Sequence, residues 1–265
     1  MLWKSMVLRN GGNNMLKVIL SGCNGAMGRA ITKVASESED VEIVVGIDKY
    51  KDRYSNSYRV YDNIFDFKDK ADVIIDFSHP SCLGDILTYG EKNNTPIVIA
   101  TTGLNIEDDK KIEDASKNIP IFKSANMSIG VNLLIDLVKK AALALQDNFD
   151  IEIIEKHHNK KVDAPSGTAL MIADAINEEL DNSMEYKYGR EGKSAKREGN
   201  EIGIHAIRGG TIPGEHTVIF AGLDEIVEVK HTALSKNIFA SGAVKAAKFI
   251  VNKENGLYKM ENLMN

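Results

Sequence analysis

The sequence predicts an α/β chain in two parts: an N-terminal parallel sheet wrapped by helices, then an α+β region with a mixed open sheet. Three observations predict it. Short β-rich apolar runs alternate with helical stretches up to about residue 126, the pattern of right-handed β-α-β units. A glycine cluster separates the first strand from the first helix. Beyond residue 126 the alternation gives way to long helical periodicity and then to three strand-like runs.

Leu16 to Gly22 reads as a buried strand running into a glycine turn, and Ala26 to Ser36 as a helix. Val41 to Ile47 is a second strand, ending at Asp48, and Asp72 to Phe77 a third. A helix from about Ser81 to Lys92 precedes a fourth strand, Pro96 to Ala100. A helix from about Ile106 to Ser116 leads to a fifth, Pro120 to Lys123. Leu134, Leu137, Val138, Ala141 and Leu145 then share one helix face. Asp150 to Ile154 reads as a strand, and Ala169, Ile172, Ala173, Ile176 and Leu180 as another helix face. The polar, glycine-containing stretch Asn182 to Asn200 reads as a mobile excursion. Ile202 to Ile207, His216 to Phe220 and Ile226 to His231 are strand-like. In the last, Val227, Val229 and His231 share a face, so the sheet is expected to have one covered side. Phe239, Ala243, Ala246, Ala247 and Ile250 mark a closing helix that has a packing choice between the two parts. The expected division is 15–126, with the helical end 238–265 returning to it, and 127–237.

Met1–Asn14 ends in Asn10-Gly11-Gly12-Asn13-Asn14, which is loop chemistry; it reads as a disordered tail, an expression remnant or an upstream start. The 265 residues suffice for one large or two modest cores. A formal charge of -5 without a long basic block argues against a nucleic-acid surface. No apolar run approaches the roughly 20 residues of a membrane span, so no membrane partner is expected. Cys23 and Cys82 are too few for a metal cluster or a disulfide framework. With no signal peptide they point to a cytoplasmic location.

Gly22-Cys23-Asn24-Gly25-Ala26-Met27-Gly28 gives G-x-x-G-x-x-G where a dinucleotide fingerprint has G-x-G-x-x-G; Gly25 and Gly28 fit its second half. Glycine lets backbone approach a pyrophosphate, and the following helix start supplies unpaired N–H groups. Asp48, at the end of the second strand, stands where an acidic residue takes ribose hydroxyls. That makes the first part Rossmann-like; a ligand-free glycine turn is the plainer alternative. Asp48 repels a 2′-phosphate while Lys49 attracts one, so NADH and NADPH are both expected to be accepted. Ala100-Thr101-Thr102 and Ser124-Ala125-Asn126-Met127 end the fourth and fifth strands. Ligands of open parallel sheets lie there, so these segments are expected to border the nicotinamide.

The stretch from Glu155 to Thr168 packs two histidines, a lysine and a helix start together. Histidine gives or takes protons near neutrality, and His157, His158 and Lys161 make an electropositive group. Ser166 suits the N-cap of the next helix, whose Gly167 and Thr168 N–H groups then face an anion. The expected ligand is an anionic substrate, a carboxylate first of all. His79, His205, His216 and His231 read as structural or surface histidines, and no metal is expected.

Glu155-Lys156-His157-His158-x-x-Lys161-Val162-Asp163-Ala164-Pro165-Ser166-Gly167-Thr168-Ala169 closely resembles the signature of the 4-hydroxy-tetrahydrodipicolinate (dihydrodipicolinate) reductase family. The likeness extends to the glycine turn, to Ala100-Thr101-Thr102-Gly103, to Asn126 through Asn132, to Arg208-Gly209-Gly210-x-x-Pro213-Gly214-Glu215-His216 and to the Phe239-Ala240-x-Gly242-Ala243 helix start. It implies reduction of 4-hydroxy-tetrahydrodipicolinate by NADH or NADPH with loss of water, in lysine and diaminopimelate biosynthesis. It also implies a homotetramer joined through the C-terminal sheet. Carried over, His157 is the proton donor or acceptor and Lys161 a second donor. His158, Ser166, Gly167 and Thr168 contact substrate. Gly22, Cys23, Asn24, Gly25, Ala26, Met27, Asp48, Lys49, Ala100 to Thr102 and Ser124 to Met127 contact cofactor. Lys236 and Lys49 depart from arginines found in other members, and lysine lacks the bidentate fork. On the motifs alone, the reading is an NAD(P)-dependent enzyme acting on an anion. Another dinucleotide oxidoreductase or a non-catalytic dinucleotide binder are its rivals.

Overall fold

The computed structural model describes residues 15–264, so the tail expected over Met1–Asn14 lies outside the described residues. In chain order the elements are β1 (Leu16–Ser21), α1 (Ala26–Ser36), β2 (Val41–Ile47), β3 (Arg59–Tyr61), β4 (Val73–Asp76), α2 (Leu83–Asn93), β5 (Ile97–Ile99), α3 (Ile106–Ser116) and β6 (Pro120–Lys123). They continue with α4 (Ile129–Leu145), β7 (Asp150–His157), α5 (Gly167–Glu179), β8 (Glu185–Tyr188), β9 (Glu201–Arg208), β10 (Gly214–Ala221), β11 (Ile226–Ala233), α6 (Asn237–Ile250), β12 (Gly256–Tyr258) and α7 (Met260–Met264). The chain forms two compact units. One runs to Ala125 and resumes over Ala243–Lys259; the other comprises Asn126–Gly242 and the chain from Met260.

The first unit is a seven-stranded parallel sheet in the order β12-β6-β5-β4-β1-β2-β3. Its central strands are buried on both faces, which explains why they read as unbroken apolar runs: Val18, Ile19, Leu20, Ile74, Ile75 and Ile97 have no exposed surface. Leu83 and Ile86 of α2 and Ile112 of α3 pack on one side. On this sheet Phe122 of β6 meets Phe249 of α6 edge to face at 6.1 Å. The strand order reverses between β1's two neighbours, β2 and β4, so a crevice opens at the carboxyl end of β1. The short edge strands β3 and β12 carry no strong period in sequence; each is three residues long and exists by pairing.

The second unit holds a five-stranded mixed sheet, β11-β10-β7-β9-β8, antiparallel across β11, β10 and β7 and parallel across β7, β9 and β8. Alternation in β7 sends Ile151, Ile153, Glu155 and His157 to the buried face. There α4 and α5 cover Ile151, Ile153, Ile202, Val218 and Phe220. β7 runs three residues further than the sequence predicts. Glu155 and Lys156 pair with both β10 and β9, and His157 pairs with Arg208 of β9, so His157 lies on a rigid element rather than in a loop.

Two further expectations are corrected. The excursion expected over 182–200 contains β8, and the segment after β8 is fastened to the sheet. Arg190 bonds Glu152 and Glu201, and Arg197 bonds Glu152 and Asp150. Glu152 lies over Gly203, where a Cβ would overlap its carboxylate, and this partly enclosed charge recruits both arginines. The helical end expected to stay with the first part also divides. Met260 of α7 is buried and α7 packs on α4, so the apolar contact places the last residues with the second unit.

Gly242 in α6 lies against the Met127 carbonyl, and a Cβ there would overlap that oxygen. Because the obstacle is backbone, Gly242→Ala is expected to destabilise the chain by about 3 kcal/mol or more, read from the shift of a denaturant-unfolding midpoint.

Candidate active site

In the first unit, the carboxyl ends of β1, β2, β5 and β6 bring Gly22, Asp48, Ala100 and Ser124 to one edge of the sheet. Gly22 turns at φ +75, and a Cβ on it would lie 2.5 Å from the Phe77 carbonyl oxygen. Only glycine turns there without strain. Gly25 is the N-cap of α1 and brings no side-chain acceptor, so the first N–H groups of α1 are left for an anion. A cleft of about 580 Å³ lies in front of this turn, lined by Gly22, Asn24, Gly25, Asp48, Lys49 and Tyr50 among others. The donors and the space suit a dinucleotide pyrophosphate and ribose.

Asp48 also braces the turn. Its carboxylate accepts from the Asn24 N–H at 3.0 Å and the Tyr50 N–H at 2.9 Å, clamping the glycine turn to the loop after β2. A carboxylate offers about four acceptor positions, so two remain for ribose hydroxyls. Cys23 is fully buried, with its Sγ against Gly46, and burial pushes its thiol up to about 12. It offers a ligand backbone only. Thr101 is also turned inward, donating to Asp76 at 2.7 Å, whereas Thr102 is exposed. Ser124 and Ala125 belong to the first unit; Asn126 and Met127 belong to the second. Phe77, Ser78 and His79 line the same cleft at the switch point beside β1, and sequence reading misses them because no motif marks them.

In the second unit, the buried face of the sheet changes from apolar to polar along its length. Phe220 and Val218 of β10 give way to His216 and then Gly214, and Ile151 and Ile153 of β7 to Glu155 and His157. This polar end meets the N-terminus of α5. Ser166 is its N-cap, as the sequence predicts, accepting from the Ala169 N–H at 3.2 Å. Gly167 and Thr168 then hold first-turn N–H groups that no helical carbonyl reaches. A Cβ on Gly167 would enter open space. Thr168 Oγ1 accepts from Asn126 at 3.0 Å.

Glu155 has no exposed surface and binds four donors. Its Oε2 meets His157 Nδ1 at 2.6 Å and an Arg208 nitrogen at 2.7 Å; its Oε1 meets the other Arg208 nitrogen at 2.7 Å and the Ser166 N–H at 2.9 Å. Burial opposes the charge, but the bonds from Arg208, His157 and Ser166 outweigh it and hold the carboxyl below its ordinary value. Arg208 also donates to the Asp163 carbonyl at 2.7 Å, and Lys161 pairs with the Asp163 carboxylate at 2.8 Å. The ring of His158 has a buried Nδ1 without a partner among the described residues, a polar atom suited to a ligand. The structure thus brings His157, Lys161, Ser166, Gly167 and Thr168 to one end of one unit.

His216, a structural or surface residue on the sequence reading, stands beside His157, the rings 5.3 Å apart and edge to face. Its Nε2 lies 3.0 Å from Ser166 Oγ. Burial, and next the charge of His157, push it down to about 4. Below the ordinary histidine value, the unfolded chain takes up a proton that the folded ring refuses, so stability is lost as pH falls towards 4. Denaturant unfolding at about pH 7 and about pH 4.5 is expected to show a smaller acid loss in His216→Gln than in wild type, by on the order of 2 kcal/mol.

Comparison with known proteins places this geometry. The model of the dihydrodipicolinate reductase N-terminus matches residues 16–127, and that of the dihydrodipicolinate reductase C-terminus matches residues 130–264. The 4-hydroxy-tetrahydrodipicolinate reductase of Caldanaerobacter subterraneus subsp. tengcongensis is 53% identical over 94% of this chain and 98% of its own. That of Clostridium novyi is 52% identical over the same shares. The dipicolinate-bound dihydrodipicolinate reductase from Paenisporosarcina sp. TG-14 superposes with a TM-score of 0.78 at 25% identity, covering 94% of this chain and 99% of that one. The motif around His157, the glycine turn and the matches across both units agree: the chain belongs to the dihydrodipicolinate reductase family.

Proposed function

We propose that this chain reduces 4-hydroxy-tetrahydrodipicolinate to tetrahydrodipicolinate with release of water, using NADH or NADPH, in lysine and diaminopimelate biosynthesis. The observation that carries this reading is the joining of His157, Lys161 and the open α5 N-terminus in a member of this family. The bound dinucleotide supplies the hydride.

The residues of this chain do the rest. Gly167 and Thr168 N–H groups, with Ser166 setting the helix start, take a substrate carboxylate at the positive end of α5. His158 and Lys161 add donors around the anion. Hydride addition to the dehydrated ring leaves an electron-rich carbon that needs a proton, and His157 delivers it, with Lys161 as the second proton donor. Lys161 as a cation also opposes the negative charge that accumulates during the step. In the first unit, the α1 N-terminus and Gly22 to Met27 hold the pyrophosphate, Asp48 and Lys49 the adenosine ribose, and Ala100 to Thr102 with Ser124 and Ala125 the nicotinamide side. The domain roles are then the dinucleotide for the first unit and the substrate for the second.

The family likeness supports assembly into a homotetramer through the second sheet, whose open face carries Ile207 and Ile226, 45% and 65% exposed. Light scattering is expected to give about four times the 29.2 kDa chain mass. The free cysteines Cys23 and Cys82 and the biosynthetic role of the family support a cytoplasmic location.

A coupled assay tests the activity: pyruvate, aspartate semialdehyde and the preceding synthase, with oxidation of NADH or NADPH monitored by absorbance. Consumption of either is expected; none, from folded protein, refutes the reductase. His157→Gln and Lys161→Ala are each expected to lower kcat by about 10²-fold. Asp48→Ala is expected to lower kcat/KM for NADH by about 10-fold and move the cofactor ratio towards NADPH. Unchanged values for both cofactors would remove the ribose contact.

A further inference from the structure

We propose that Glu155 and Arg208 are positioning residues that lock the His157 ring with its proton on Nδ1, so that Nε2 alone exchanges protons with substrate. The proposal rests on the reading of His157 as the proton-transfer residue, and it assigns work to two residues that reading leaves idle.

The reason is a count of donors. An ionised carboxylate only accepts, and its two oxygens offer about four acceptor positions. At Glu155 three of them meet groups that can only donate: two guanidinium nitrogens of Arg208 and the Ser166 backbone N–H. The fourth contact, at 2.6 Å, is His157 Nδ1, which must therefore carry a hydrogen. Neutral His157 then has its lone pair on Nε2, and protonated His157 has its transferable proton there. The backbone leaves that atom accessible: a Cβ on Gly214 would lie 3.2 Å from Nε2, and glycine removes it.

Arg208 keeps the lock charged. Its fork engages both oxygens, a geometry lysine cannot copy. A further bond, to the Asp163 carbonyl, ties the strand end bearing His157 to the loop bearing Lys161. Both proton-transfer candidates are thus referenced to one guanidinium. The charged and titratable groups around His157 are Glu155 on its own strand, Arg208 from β9, His216 from β10, and Lys161 and Asp163 from the loop ahead of α5. His216 donates nothing to the carboxylate; it turns to Ser166 Oγ instead.

The test compares full-length wild type with Glu155→Gln, Glu155→Asp, Arg208→Lys and His157→Gln, by kcat against pH and by 15N spectra of labelled histidine rings, His157 being assigned by its loss in His157→Gln. Glu155→Gln is expected to lower kcat by about 10²-fold with KM for the dicarboxylate changed less than about threefold. The alkaline limb of its profile is expected to move down by about one unit or more, since the imidazolium loses its counter-charge. Its His157 resonances are expected to leave the Nδ1–H pattern for a tautomer mixture. Glu155→Asp and Arg208→Lys should fall between the two extremes. Should Glu155→Gln not fold, Glu155→Gln/Arg208→Gln leaves no unpaired buried charge and is expected to show the same limb and tautomer changes. A folded Glu155→Gln, or that double variant, with wild-type profile and wild-type His157 spectrum overturns the lock. If His157→Gln is slow while this holds, the lock alone falls; if His157→Gln turns over normally, the role of His157 itself falls.

Discussion

A carboxylate with no contact to water organises the polar end of the second unit. Transfer of an unpaired ion from water to protein interior costs several kcal/mol, so Glu155 is tolerated only with its bonds in place. Those bonds come from three separate elements: the strand bearing His157, the neighbouring strand through Arg208, and the first residues of α5 through the Ser166 N–H. Arg208 then reaches the loop carrying Lys161. One buried charge thereby fixes the relative placement of the candidate acid, the second cation and the open helix start. Deleting either partner of such a pair strands the other, which is why the cluster holds as a unit.

The rigidity of this end has an apolar source. The same sheet face that presents Glu155 and His157 continues into Ile153, Val218 and Phe220, closed over by α4 and α5. The histidine therefore sits at the margin of a packed core, on a strand bonded on both sides. A proton-transfer group benefits from that setting, because small displacements of a reacting atom cost much rate. The helix supplies the opposite property: its first turn ends in N–H groups facing open space at Gly167.

The glycine turn of the first unit obeys a different physical rule. There the constraint is volume rather than charge. Gly22 passes the Phe77 carbonyl too closely for any side chain, and a Cβ on Gly28 would overlap the Gly22 carbonyl. The turn is compact, and its compactness aims the unsatisfied end of α1 at the cleft. Asp48 serves that shape as much as any ligand, since its two backbone bonds hold the turn against the loop after β2.

Local chemistry is enough to read much of this in the sequence. Unbroken apolar runs identify the doubly covered strands, helical spacing locates the covering helices, and Ser166 announces the α5 cap, because each of these depends on residues within one or two turns. The motif from Glu155 to Thr168 is legible for the same reason. What it lacks are the distant partners. Arg208 lies 53 residues from Glu155 and His216 50 from Ser166; the family likeness takes in both, but no local pattern says what they touch. β8, β12 and α7 are equally silent, being short elements made by pairing or packing with remote chain. The sequence by itself determined the fold class, the two candidate site motifs and the family likeness, since these are carried by periodicity and by contiguous residues. Only the tertiary structure decided that His157 stands on a strand and that Glu155 is a fully enclosed hub. It alone placed Arg208 and His216 beside that histidine, because strand register sets which distant side chains share a row.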